Sequence, residues 1–249
     1  MRFESRRQAG QLLADKLLLL ESEGALHLND ELSDAIVVAL PRGGVPVGLE
    51  IAQALNIPLD ICVVRKVGVP LQSELAIAAV SEDDELVVNE EVRCYLGMSL
   101  EEIEHLAESK RAEVQQRIHD FRDDSPPVDV TGKSVILVDD GLATGATAMA
   151  AVHVLRKRKA GKIILALPVC AYDSVAQFRH EVDDFVVLAT PACFFAVGQF
   201  YQDFKQVSDH EVKDILQQAR DALHARSEIG NINSVNKDGS DEWGEIHWS

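Results

Sequence analysis

The chain has 249 residues, of which 47% are hydrophobic, which is enough to bury one substantial core, and we find no internal repeat. Its formal charge of −17, from 41 acidic and 24 basic residues, leaves no basic surface for a nucleic acid backbone, so nucleic acid is not an expected partner. No apolar run is long enough to cross a bilayer, the leucine run at residues 17–20 included. Asp15 and Lys16 interrupt the apolar character of the N-terminal helix pattern, so we expect no membrane span and no secretory signal.

The first part of the chain shows apolar runs that alternate with helical patterns. Apolar residues at three- and four-residue steps predict a helix from Ser5 that ends before Gly24. Short β-branched runs predict strands, and a glycine turn after the first strand opens a helix. In chain order the predicted elements are a helix over 5–20, a strand over 35–40, a helix over 47–55, a strand over 59–64 and a hairpin of 75–80 with 85–88.

The second part begins with a charged amphipathic pattern over residues 99–121. Ser99 is the predicted N-cap, and Glu102 completes a capping box. The apolar run 134–138 is typical of a strand buried on both faces of a parallel sheet. The remaining predicted elements are a helix over 146–157, a strand over 163–169, a helical turn over 174–180, a strand over 185–188 and a helix over 209–225.

This alternation of strands and helices favours an α/β fold with an open, mainly parallel twisted sheet and flanking helices. We predict one domain over residues 1–225, with a helical insert at about 95–125. Residues 226–249 are polar and have no apolar period, so we predict a disordered tail. The alternative is that Trp243 and Trp248 form a docking element.

Two adjacent acidic residues, Asp139 and Asp140, follow the strand 134–138 at the edge where open α/β sheets bind ligands. The loop 142–147 that comes next contains small residues and two threonines and opens a helix. Its backbone N–H groups and hydroxyls would therefore converge where an anion could bind. A ribose 5-phosphate satisfies both features, because its hydroxyls can donate to the carboxylates while its phosphate accepts from the loop.

This segment resembles the ribose-phosphate-binding motif of the type I phosphoribosyltransferases, which has an apolar strand, two acidic residues, a short spacer and Thr-Gly-x-Thr. The resemblance implies that Asp139 and Asp140 hold the ribose 2′- and 3′-hydroxyls of 5-phosphoribosyl-1-pyrophosphate. The 5′-phosphate would be held by Ala143, Thr144, Gly145, Ala146 and Thr147. The alternative is an acidic strand end followed by an ordinary turn into a helix.

Two further segments resemble the parts of this family that face the leaving group. Arg42, Gly43 and Gly44 resemble the pyrophosphate loop, and the resemblance implies a cis peptide bond between Pro41 and Arg42. The pair Arg65 and Lys66 resembles the basic start of the family's mobile loop, here residues 66–74. A solvated glycine turn and ordinary surface cations are the alternatives.

Residues 190–207 resemble the hood of purine-specific members. The resemblance implies that Phe195 stacks on the base and that Asp203 helps to bind a second magnesium ion. Core packing for Phe195 and a solvated turn for Asp203 are equally compatible with the sequence. The lysine that reads an oxopurine in the family is absent from residues 167–169, so guanine and hypoxanthine are not expected acceptors.

The resemblance implies a magnesium-dependent transferase that moves the phosphoribosyl group to a nitrogenous base and releases pyrophosphate. Arg65 and Lys66 would neutralise the leaving group. Glu74 is the predicted proton acceptor, because Ala143 stands where some members have an aspartate. Family members commonly form dimers, so we expect a homodimer, and we expect it in the cytoplasm.

Two other functions remain open from the sequence. The chain could be a regulator that binds the same donor without catalysis, although its charge of −17 argues against the basic surface that such proteins use for nucleic acid. It could also be a transferase or hydrolase for a different phosphorylated sugar.

Overall fold

The computed structural model describes residues 1–26, 28, 34–69, 72–122 and 126–235, and the side chains of residues 72–74 and 224–235 are outside this description. The helices are α1 (Arg6–Ser22), α2 (Gly44–Leu55), α3 (Glu90–Leu96), α4 (Leu100–Arg122), α5 (Ala146–Lys157), α6 (Tyr172–Phe178) and α7 (Asp209–Val235). The strands are β1 (Ala35–Ala39), β2 (Leu59–Ile61), β3 (Val64–Val69), β4 (Gln72–Ser81), β5 (Leu86–Val88), β6 (Ser134–Val138), β7 (Lys162–Val169) and β8 (Asp184–Ala189).

Five parallel strands form the central sheet, in the order β2-β1-β6-β7-β8. Alternate residues of β1 face opposite sides, because side chains alternate across a strand. Val37 joins a core with α1, α2, α4 and α7, whereas Val38 joins a core with α5 and α6. The prediction of an open parallel α/β sheet with helices on both faces is confirmed.

The direction of winding reverses between β1 and β6, which are neighbours in the sheet although they are far apart in the chain. Leu40, directly after β1, donates its backbone N–H to the carbonyl of Val138 at 2.8 Å. In open α/β sheets the crevice at such a reversal, beyond the carboxyl ends of the strands, is the usual ligand site.

The predicted strand over 59–64 is wrong as a single element. Its first half is β2 of the central sheet, and its end begins β3 of a second, antiparallel sheet in the order β3-β4-β5. Cys62 and Val63, between the two strands, are each 1% exposed. The whole run is therefore buried, and a continuous apolar pattern carries no signal for the change of sheet.

The segment 66–74, expected to be the mobile loop, is largely a strand pair, since β3 continues to Val69 and β4 starts at Gln72. Residues 70–71 between them lie outside the described part of the chain. The predicted hairpin of 75–80 with 85–88 is confirmed as β4 and β5, with Ala79 opposite Val87.

Helix α4 forms as predicted for residues 99–121. The carboxylate of Glu102 accepts hydrogen bonds from the backbone N–H and the hydroxyl of Ser99 at 2.7 and 2.9 Å, which confirms the capping box. Ile103 and Val114 are fully buried in the core that includes the second sheet and α7. The insert is therefore an integral part of the domain.

The last helix, α7, continues to Val235, ten residues beyond the predicted end at Ala225. No proline lies between these positions to interrupt it. Residues 236–249, which include Trp243 and Trp248, lie outside the described residues. No helix in the described part of the chain is long and apolar enough to cross a membrane.

Candidate functional site

The turn after β1 packs directly against the acidic end of β6. The peptide bond between Pro41 and Arg42 is cis, as the sequence analysis expected. A Cβ atom placed on Gly43 would lie 2.0 Å from Oδ2 of Asp140, so only glycine allows this approach. The tertiary structure therefore brings the expected pyrophosphate loop and the expected ribose site together.

Asp140 is buried, and one of its carboxylate oxygens is already bound. Oδ2 lies 2.7 Å from Nε of Arg6 in α1, and both side chains are 12% exposed. The guanidinium of Arg6 stacks on the Phe204 ring at 3.9 Å, and the Tyr201 hydroxyl donates to the backbone oxygen of Asp140 at 2.6 Å. Asp140 is therefore held by α1 and by the hood, and Arg6 is a site residue that the sequence analysis missed.

Asp139 is partly exposed, and its Oδ1 accepts the backbone N–H of Asp140 at 2.8 Å. Although part of the Asp139 side chain is exposed, desolvation of its carboxyl group raises the pKa well above its ordinary value, and the charge of Asp140 raises the pKa further. Burial also raises the pKa of Asp140, while Arg6 opposes that shift. Each carboxylate has one oxygen without a hydrogen-bond partner among the described residues, and Asp139 is the more exposed of the two.

The loop after the acidic pair has the form of an anion site. Ala143, Thr144 and Thr147 are exposed, and Gly145 has φ +74°, a left-handed conformation that favours glycine. Among the described residues, no group accepts a hydrogen bond from the backbone N–H groups of residues 144–147. These N–H groups stand at the start of α5, where the helix dipole also favours an anion.

A cavity of about 270 Å³ opens beside this loop, and three arginines line it together with Phe121 and Thr147. Arg42 and Arg65 were predicted to face the leaving group, and both line this cavity. Arg117, from α4, is the third and was missed. Its signal in the sequence was its position four residues before Phe121, on the same face of the insert helix.

The other predicted site residues are more dispersed. Lys66 follows Arg65 in β3 but is not among the residues that line this cavity. The backbone of Glu74 lies in β4, and its side chain lies outside the described residues.

Phe195 is 91% exposed in the hood, just before a 3-10 helix at Val197–Phe200. Asp203 donates its N–H to the carbonyl of Glu4 at 2.9 Å, and its carboxylate lies 3.4 Å from Nζ of Lys205. The structure places Asp203 in a different cavity from Arg42 and Arg65, one that it shares with Arg6 and Lys205.

A magnesium ion at this site would need help from the substrate. Within the described ranges, no three His, Cys, Asp or Glu side chains cluster as a metal site. Magnesium is commonly bound through one or two carboxylates together with substrate phosphates and water. The free oxygen of Asp139 fits that pattern.

The chain is similar to known proteins in sequence and in fold. The model of the phosphoribosyl transferase domain family matches residues 23–204. Two curated proteins of Mycobacterium tuberculosis, strains CDC 1551 and H37Rv, whose names give a provisional assignment as phosphoribosyl transferases, are each 42% identical over 217 residues. That match covers 87% of this chain and 47% of each relative, so the chain spans about half their length.

The crystal structure of TT1426 from Thermus thermophilus is 37% identical to this chain, with a TM-score of 0.79. The superposition covers 88% of this chain and 99% of that protein. The family match begins directly after α1, ends within the hood and includes every loop described above. The chain belongs to the phosphoribosyl transferase domain family.

Proposed function

We propose that this protein transfers the 5-phosphoribosyl group from 5-phosphoribosyl-1-pyrophosphate to a nitrogenous base and releases pyrophosphate, with magnesium bound. The observation that carries the proposal is the arrangement of charge at one edge of the sheet. The N–H groups of residues 144–147, which have no hydrogen-bond partner in the described part of the chain, follow Asp139 and Asp140 in the same loop, and Arg42 and Arg65 line the adjoining cavity. The donor has the same sequence of groups, a phosphate, then hydroxyls, then pyrophosphate.

Each part of the site would then bind one part of the donor. The loop 144–147 holds the 5′-phosphate through its N–H groups and hydroxyls. Asp139 accepts a hydrogen bond from a ribose hydroxyl. Asp140, fixed by Arg6, positions the turn and offers its remaining oxygen to the second hydroxyl.

The reaction requires charge stabilisation more than proton transfer. The base nitrogen forms a bond to the anomeric carbon as the bond to pyrophosphate breaks, and the electron pair leaves with the pyrophosphate. Arg42 and Arg65 are placed to stabilise this leaving group. Magnesium, when bound, supplies further positive charge to the pyrophosphate, with Asp139 as the available carboxylate. Glu74 stays the proposed proton acceptor for the incoming base.

The hood is the proposed site for the base. Phe195 is 91% exposed, so its ring has a free face on which a flat nitrogenous ring could stack. Asp203 stays the proposed ligand of a second magnesium ion, although it lines a different cavity from Arg42 and Arg65.

The proposal is tested by calorimetry with 5-phosphoribosyl-1-pyrophosphate with and without magnesium, and by pyrophosphate release with a panel of bases. We expect binding that depends on magnesium and release that depends on one base. Asp139→Asn should weaken both, whereas Asp129→Asn, an exposed carboxylate in the loop before β6, should change neither.

Each other outcome has a distinct meaning. If the donor does not bind, the proposal is wrong. If it binds and no base promotes release, the protein is a donor-binding regulator instead. If pyrophosphate is released at the same rate without any base, the protein is a hydrolase.

A further inference from the structure

Three arginines from different parts of the chain point into the cavity of about 270 Å³ beside the phosphate loop. Arg42 follows β1, Arg65 is in β3, and Arg117 is in the insert helix α4. Their side chains are 28%, 32% and 30% exposed, so a ligand can reach each of them. Three like charges around one small cavity repel one another unless anions lie between them.

The protein supplies two such anions. Oδ1 of Asp209, at the start of α7, lies 3.0 Å from Arg117 and 3.4 Å from Arg42. Oε2 of Glu113 lies 3.4 Å from Nε of Arg65. A single carboxylate oxygen therefore serves two guanidinium groups, and one of its contacts is long for a charge-assisted hydrogen bond.

These contacts leave much of the hydrogen-bonding capacity of the three arginines unused. Among the described residues, Arg42 and Arg117 each donate only to Asp209, and Arg65 contacts only Glu113 and its neighbouring carbonyl at Val64. Each guanidinium is a planar fork suited to two parallel bonds with a phosphate. A pyrophosphate in this cavity could replace these single contacts, of which those of Arg42 and Arg65 are long at 3.4 Å, with bidentate ones.

Helix α4 presents Arg117 to the cavity by helical spacing. Glu113, Arg117 and Phe121 lie four residues apart, on one face of the helix. The guanidinium of Arg117 lies 5.6 Å from the centre of the Phe121 ring, which restricts its plane. The insert therefore brings a fixed cation to a cavity that the rest of the site already lines with Arg42 and Arg65.

We propose that Arg117 is a third arginine that binds the leaving pyrophosphate, and that Asp209 is an internal counter-ion that the pyrophosphate displaces. This inference rests on the proposed function and adds a residue from the insert helix to it. Displacement of Asp209 would also connect pyrophosphate binding to the contact between α4 and α7, because Asp209 begins α7.

The test is calorimetry of the full chain with inorganic pyrophosphate and magnesium. Arg117→Gln should weaken binding about tenfold or more, because a charge-assisted bidentate contact is lost. Arg117→Lys should restore part of the affinity, since it keeps the charge without the planar fork. The control is Arg111→Gln on the same helix, whose partners are Asp84 and Glu104, and it should bind like the wild type.

Asp209→Asn separates direct from indirect effects. Removal of this competing carboxylate should tighten pyrophosphate binding several-fold. A double variant combines Asp209→Asn with Arg117→Gln. Any loss of affinity relative to Asp209→Asn alone then reports the contact of Arg117 itself, because neither variant has the Asp209 carboxylate. Thermal unfolding of each variant identifies any that fails to fold. If Arg117→Gln does not fold, the pyrophosphate affinity of Arg117→Lys relative to the wild type tests the role of Arg117 instead.

The outcomes distinguish this inference from the proposed function. If the wild type binds pyrophosphate and Arg117→Gln binds it equally well, Arg117 has no role and the proposed function stands. If Asp209→Asn does not tighten pyrophosphate binding, the proposal that pyrophosphate displaces Asp209 is wrong. If neither pyrophosphate nor 5-phosphoribosyl-1-pyrophosphate binds the wild type, both proposals fall.

Discussion

Nε of Arg6 lies 2.7 Å from Oδ2 of Asp140, a contact between residues 134 positions apart in the chain. It joins the first helix to the carboxyl end of β6, and both side chains are only 12% exposed. The position of an acidic residue in the expected ribose site is therefore set by an arginine that lies far outside the motif.

Removal of the Arg6 side chain should destabilise the fold. Arg6→Gln leaves the Asp140 carboxylate buried without its cation, and loss of one partner of such a pair typically costs about 3 kcal/mol or more. We expect the free energy of unfolding, measured in urea, to fall by about 3 kcal/mol. Asp140→Asn in the same background should recover at least about 1 kcal/mol. Strictly additive effects would contradict a direct interaction.

Gly43→Ala should disturb the site because its new Cβ would lie 2.0 Å from Oδ2 of Asp140. We expect the free energy of unfolding to fall by about 2 kcal/mol or more, as for other overpacked positions, and donor binding to weaken. In an Asp140→Ala background, the carboxylate is absent and the same substitution should cost much less. An equal cost in both backgrounds would place the strain elsewhere.

Asp139→Asn should make the fold more stable near neutral pH while it weakens ligand binding. The pKa of Asp139 is raised in the folded state, chiefly by burial, so the folded protein retains this proton above the pH at which the unfolded chain releases it. The wild type therefore loses stability as pH rises from the unfolded pKa towards the folded one.

Asparagine has no such titration and retains the carbonyl oxygen that accepts the Asp140 N–H. Its advantage in the free energy of unfolding should be absent at acidic pH, where Asp139 is protonated in both states, and should grow as pH rises above the ordinary pKa of an aspartate. Urea unfolding at several pH values measures it. If the advantage of Asp139→Asn shrinks as pH rises, folding lowers the pKa of Asp139 rather than raising it, and this account is wrong.

Arg122, at the end of α4, should be important for the attachment of the insert. It is 3% exposed, donates to Asp60 at 3.0 Å and contacts the carboxylate of Glu82. Burial raises the pKa of Glu82 to about 7, and Arg122 opposes that rise. Arg122→Gln should therefore raise the pKa of Glu82 further. At any pH at which Glu82 is still ionised, its buried charge then lacks the Arg122 cation and destabilises the fold.

We expect Arg122→Gln to lower the free energy of unfolding by about 3 kcal/mol at pH 8, and by less at pH 6, where Glu82 can hold a proton. The matched control is Arg111→Gln, which breaks exposed pairs on the same helix and should cost less than about 1 kcal/mol. A larger loss at pH 6 than at pH 8 would contradict this account.

Elements with a strong local pattern were predicted well. The strand at 134–138 and the helix at 146–157 have the predicted bounds, because a fully apolar run and a helical period are properties of neighbouring residues. The Thr-Gly-x-Thr loop and the Pro41–Arg42 turn were recognisable for the same reason. The strand over 59–64 was predicted wrongly, because the same apolar residues suit either of two sheets.

The amino-acid sequence alone was sufficient to indicate the family, the alternation of strands and helices, and the loops that contain the acidic pair and the glycine turn. Only the tertiary structure showed that Arg6 binds Asp140 and that Arg117 and Asp209 lie beside Arg42. These contacts depend on how close the side chains lie in space, because the interaction energy of two charges decreases with their separation. Residues far apart in the chain that meet in this way leave no periodic pattern in the sequence. A surface arginine and a site arginine therefore look alike until the chain is folded.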